Sequence, residues 1–186
     1  NKPDQYRVNV YNMGVFRYES LYIGLPAMFH ETGDNNGFMI VQLTCSRDLN
    51  SFFKRLGDRK PFIEPSRLGS GAYDLTQIMP PTSTVVRGDE LWLYYTGLKY
   101  RGSSGPDFKG PKRDPDSHNT SGPGAICLAV LRRDGFISLD AGEQAGTIQT
   151  EPFKLPGTKL LVNVDAPKGE LRVEVLDGEG KVVAQS

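Results

Sequence analysis

Tryptophan occurs once and histidine and cysteine twice each in 186 residues. Cys45 and Cys127 are too few for a disulfide framework, and no Cys-x-x-Cys pair or Cys/His cluster marks a structural zinc site. Neither His30 nor His118 has a second histidine at metal-ligand spacing. No serine or cysteine nucleophile is paired with either, so acyl transfer has little support. An excess of one charge is also missing, because Lys+Arg and Asp+Glu both number 22. A grip on nucleic acid or an anionic membrane needs a basic excess on one face, which disfavours both partners. No apolar run approaches the ~20 residues of a membrane span, and the first residues do not read as a signal peptide. Helical periodicity is lacking too. No dozen-residue segment combines helical spacing with good caps, apart from a turn around Asp48–Lys54.

What is present is punctuation. Glycine (21) and proline (13) fall at short intervals. Between them lie runs of alternating, β-branched or aromatic residues: Tyr6–Tyr11, Val15–Tyr18, Leu21–Leu25, Phe38–Cys45, Leu91–Thr96, Ala125–Leu131, Lys159–Val164 and Glu170–Leu176. Turn formers bound them, as at Arg87-Gly88-Asp89, Arg133-Asp134-Gly135 and Asp177-Gly178-Glu179-Gly180. Such runs predict antiparallel strands joined by hairpins. The fold class is all-β.

The chain also repeats itself. A shift of 70 residues lays Asp4 on Asp74, Val15 on Val85, Arg17 on Arg87 and Leu21 on Leu91. Further along, Ser46-Arg47-Asp48 answers to Arg132-Arg133-Asp134, and there the offset has grown to 86. The growth falls in Lys99–Gly122, a stretch crowded with Gly, Ser, Pro, Lys and Asp. Residues 1–150 therefore read as two four-stranded units, about 1–66 and 67–150, the second carrying a long loop. Consecutive sheets of this kind suggest propeller blades, and an ordinary β-sandwich is the alternative. Residues 151–186 predict the hairpin of a partial β-sandwich, alternating around Ala166-Pro167-Lys168-Gly169 with one wet face.

Several strings together carry a resemblance. They are Phe16-Arg17-Tyr18-Glu19-Ser20-Leu21-Tyr22-Ile23-Gly24-Leu25, Gln42-Leu43-Thr44-Cys45-Ser46-Arg47-Asp48, Gly88-Asp89-Glu90-Leu91-Trp92-Leu93-Tyr94-Tyr95-Thr96-Gly97 and Leu131-Arg132-Arg133-Asp134-Gly135-Phe136. In order and spacing the chain resembles the C-terminal part of bacterial proteins related to glycoside hydrolase families thirty-two and forty-three. Those proteins resemble a five-bladed β-propeller followed by a β-sandwich. The resemblance implies the last two blades and the opening of the sandwich, a carbohydrate ligand and a secreted or periplasmic location. The family's catalytic carboxylates come mostly from the first three blades, which have no counterpart here. The glutamate–cysteine pair of family thirty-two is absent, since Cys45 follows Thr44 and Cys127 follows Ile126. Its Arg-Asp-Pro motif is spelled by Arg113-Asp114-Pro115, but within the insert and not on a strand.

Glycoside hydrolysis needs two carboxyl groups facing each other across the scissile bond. In a propeller, a polar residue at the start of each innermost strand can face the ligand funnel. Asp4 and Asp74 occupy that repeated place, and Glu64 lies in the loop between the units; these three are the catalytic candidates. The competing role for the aspartates is capping of the turn's own amides. Sugar rings stack on exposed aromatic faces. Tyr22, Tyr73 and Tyr100 near loops, with His30, are the ligand-binding candidates. Glu19, Asp48 and Asp134 read as turn residues, and Trp92 and Tyr94 share a strand face that Tyr95 opposes. Asp107, Asp114 and Asp116 lack EF-hand spacing, so no metal and no cofactor is expected. The function expected is binding or hydrolysis of glycans, with a non-catalytic binding module or an assembly unit as alternatives. In the last case, open sheet edges would pair with other copies.

Overall fold

The computed structural model describes residues 5–33, 36–51, 53–99, 124–155 and 157–186. Asp4, Tyr100, His118 and all of the long insert except Lys99 lie outside them. The chain forms two compact units, Asn1–Ser138 and Leu139–Ser186.

The first sheet of unit 1 is a meander. Strand β1 (Val8–Tyr18) turns at Glu19-Ser20 into β2 (Leu21–Gly33). β2 pairs on its other side with β3 (Asn36–Val41) and β4 (Thr44–Ser46). Ala27 faces Val41 and Gly24 faces Thr44, so Gln42-Leu43 interrupts this third strand without moving its register. The fourth strand is fragmentary: β5 (Lys54–Arg55) pairs with β4, and Ile63 bridges Val41. A 3-10 turn at Gly57–Arg59 separates the two pieces, and Gln42 Nε2 donates to the Arg59 carbonyl at 2.7 Å to hold it.

The second sheet follows the same plan. β6 (Gln77–Met79) and β7 (Val85–Arg87) lie on one flank of β8 (Glu90–Leu98), and β9 (Gly124–Arg132) lies on the other. Met79 faces Thr96 and Val85 faces Trp92. Two extra residues are thus looped out around Pro80-Pro81, as expected where proline cannot donate to a ladder. Among the described residues this sheet has three strand positions, where four were expected.

The strands alternate as their sequences require. On β8, Leu91, Leu93 and Tyr95 are buried, while Tyr94 is 48% exposed. The buried faces of both sheets meet in one core of Phe16, Ile23, Leu25, Val41, Leu43, Ile63, Ile78, Leu93 and Tyr95. A second cluster of Ala27, Phe29 and Met39 has Met79 packed against it. Two backbone contacts fix how closely the sheets approach. Met39 N donates to the Thr76 carbonyl at 2.8 Å, and a Cβ on Gly14 would stand 2.8 Å from the Pro81 carbonyl carbon. The outward residues of β9 are uncovered, with Ile126 79% and Val130 52% exposed.

Several expectations are refined. Tyr6–Tyr11 and Val15–Tyr18 belong to one bulged strand beginning at Val8, with a register shift between Val10 and Asn12. Ser46 faces Tyr22 as Val130 faces Trp92, so the repeat offset there is 84, not 86. An even correction keeps every side chain on its face, which is why the pattern still read correctly. The turn around Asp48 is not helical. Asp48 Oδ1 instead accepts from Asn50 N at 2.8 Å and Ser51 N at 2.6 Å, the self-capping expected of it. Asp134 differs: its Oδ1 accepts from the Tyr18 hydroxyl at 2.5 Å, joining the two sheets at their hairpin ends. Glu19 is an exposed turn residue with φ 51°, 4.0 Å from Arg133.

Unit 2 has one hairpin among its described residues, β10 (Glu174–Leu176) with β11 (Val182–Gln185). Asp177 shapes its turn by accepting from Glu179 N and Lys181 N, both at 2.9 Å, with Gly180 at φ 83°. The expected partner run Lys159–Val164 forms no strand. Its alternation is nonetheless expressed, since Leu160, Val162 and Val164 line one open groove with Leu171, Val173 and Val175. No described helix is long and apolar enough to cross a membrane.

Candidate functional site

Antiparallel pairing assembles the most distinctive polar cluster of unit 1. Tyr95 on β8 lies directly opposite Cys127 on β9, so their side chains share the buried face. The segment entering β6 then crosses β8 at Gly97. A Cβ on Gly97 would stand 2.6 Å from Asp74 Cβ and 2.9 Å from Cys127 Sγ, so only glycine admits the crossing. Asp74 is thereby brought over the sheet, where its Oδ2 accepts from the Tyr95 hydroxyl at 2.7 Å. Asp74 is 7% exposed and Tyr95 9%.

The electrostatics follow from this burial. Tyr95 is pushed well above the ordinary tyrosine value, first by loss of water and then by the hydrogen bond to Asp74 and its charge. Burial likewise raises the Cys127 thiol, and the charge of Asp74 raises it further. Both groups therefore stay neutral when folded at a pH where they ionise unfolded. Their stabilising contribution is complete below the unfolded values of about 9 and 10 and is lost as pH rises through the folded ones. Stability is thus expected to fall steeply above pH 10. Tyr95→Phe should flatten that fall, as read from urea midpoints at pH 9 and 11. An unchanged slope would show that Tyr95 is not the titrating group.

Around Asp74 the chain places two further candidates. Tyr73 is half-buried, and the Lys99 ammonium lies 4.3 Å from its ring centroid. Ser66 N donates to the Asp74 carbonyl at 2.9 Å, which draws the exposed Glu64 segment alongside. His30 stacks on Phe38 at 4.8 Å and stands one residue beyond Phe29, whose partner Met39 bonds Thr76. It therefore belongs to the same end of the unit as Asp74.

Tyr22 does not. It sits eight residues back along β2, about 26 Å away at strand rise. Its neighbours are the hairpin turns, where Tyr18 meets Phe136 edge-on at 5.0 Å. Asp4 and Tyr100 lie outside the described residues.

Among the described residues the Asp74 carboxylate accepts from a phenol and from no backbone amide, which differs from the turn-capping weighed as its alternative role. Sequence reading missed Tyr95 and Cys127 as members of this cluster. Alternation placed Tyr95 on the inner face, but nothing local announces that Cys127 lies opposite it. Among the described residues, no group of three His, Cys, Asp or Glu side chains is placed to hold a metal ion. Comparison with protein-family models, curated proteins and solved structures finds no match to this chain.

Proposed function

We propose that this chain binds glycans as a unit of the glycoside-hydrolase-like propeller type, through the end of unit 1 that carries Tyr73, Asp74, Glu64, Lys99 and His30. The observation that supports this is the Tyr73-Asp74 pair. Tyr73, with a lysine ammonium over its ring, directly precedes an aspartate whose carboxylate is buried and held by a second side chain. Sugar recognition uses that combination: a ring face for the C–H groups and a fixed acceptor for hydroxyls. Binding is favoured over cleavage, because hydrolysis needs a second carboxyl at ~5–9.5 Å from the first. Asp74 is buried but already engaged by Tyr95, and Glu64 is exposed. The lysine suits a glycan that carries carboxylates.

Titration of the chain against neutral gluco- and xylo-oligosaccharides and oligogalacturonate tests this proposal. Saturable binding without product release is expected, weakened about tenfold in Tyr73→Ala through loss of the stacking surface. Binding that survives Tyr73→Ala unchanged would move the site elsewhere, and no binding at all would remove the glycan reading.

A further inference from the structure

Asp74, Tyr95, Gly97 and Cys127 come from three segments of the second sheet and meet at one buried point. A phenylalanine would fill the space of Tyr95 equally well, and the inner face of β8 is otherwise apolar, with Leu91 and Leu93. The hydroxyl is there for the carboxylate. Without it, Asp74 would carry a buried charge lacking that donor, a costly arrangement.

We infer that Tyr95 is a positioning residue for Asp74, fixing its carboxylate by the bond to Oδ2 so that Oδ1 receives the ligand hydroxyl, and that Cys127 is the third member of the cluster. For its ligand the inference rests on the glycan reading; for its geometry it does not. Gly97 sets the spacing, since it lets the Asp74 backbone and Cys127 press on the same Cα. Tyr95 lies opposite Cys127 across the ladder and gives its one hydroxyl proton to the carboxylate.

Cys127 provides a reporter that needs no ligand. Its thiol is held protonated by burial and by the Asp74 charge. The rate of Cys127 alkylation by iodoacetamide at pH 8 is read by site-resolved mass spectrometry, with Cys45 as internal reference. Asp74→Asn is expected to speed it several-fold by removing a negative charge, and Tyr95→Phe to slow it, because a carboxylate that has lost its phenol donor sets its charge against the thiolate undiminished. A merely loosened structure would speed both, so equal acceleration, or no change in either, overturns the cluster.

The second arm uses whichever oligosaccharide the wild-type chain binds. Tyr95→Phe should weaken it about tenfold, the usual loss for one hydrogen bond to a charged group, while staying folded at the assay temperature with a Tm lowered by a few degrees. Wild-type affinity in Tyr95→Phe would overturn the positioning role. If the wild-type chain binds none of the sugars, the glycan reading fails alone, and the opposed alkylation rates still decide whether Tyr95 holds Asp74.

Discussion

Gly97→Ala is expected to destabilise unit 1 by about 3 kcal/mol, the upper range for overpacking, which lowers Tm by roughly 10 °C. The added methyl would meet Asp74 Cα at 2.9 Å as well as its Cβ, and backbone cannot swing aside like a side chain. Relief requires moving the segment entering β6, which also breaks the Tyr95–Asp74 bond. Gly88→Ala provides the comparison. That glycine has φ 59° in the β7–β8 turn with open space around it, so alanine there meets only the left-handed backbone penalty of about 1 kcal/mol. Thermal unfolding of the two variants separates close approach from backbone strain. A Gly97→Ala melting point within 2 °C of wild type would show that Asp74 does not cross β8 there.

Leu93→Ala carries the other large effect, about 3–4 kcal/mol. Leu93 is 1% exposed and lies in the core shared by both sheets, beside Phe16, Ile23 and Leu25 from the first. Deleting its side chain removes apolar burial and leaves a cavity that two hydrogen-bonded sheets cannot readily collapse around. Leu128→Ala, on the outward face of the neighbouring strand and 40% exposed, should cost less than about 1 kcal/mol. Chemical denaturation of both variants would reveal the core face of the second sheet directly. The reverse ranking would place the core on the wrong side of β8.

The candidate site was half legible. Asp74 stood out because its copy Asp4 falls at the same distance before a hairpin leucine, and Tyr73 is its neighbour in sequence. Tyr22 was chosen by the same rule, an aromatic near a turn, and went to the opposite end of a long strand. Distance along β2 settles that, and no residue-level property of tyrosine encodes it. Asp134 looked like Asp48, since both follow arginine in matching turns. Only the approach of the two sheets gave Asp134 a phenol to accept from. Cys127 had no signal of its own, because its partner across the ladder is 32 positions away in sequence.

The sequence by itself determined the all-β class, the strands around Leu21, Phe38, Leu91 and Ala125, their buried faces and turns such as Arg87-Gly88-Asp89 and Arg133-Asp134-Gly135. Alternation with period two and the backbone preferences of glycine, proline and aspartate act within a few residues, so they survive in any single chain. Tertiary structure alone decided that Gly97 lets Asp74 cross β8, that Tyr95 reaches its carboxylate, and that Lys159–Val164 stays out of any strand. Those outcomes depend on which surfaces meet after the chain has turned back on itself. Close approach and strand pairing over dozens of residues are properties of that meeting and not of any local run.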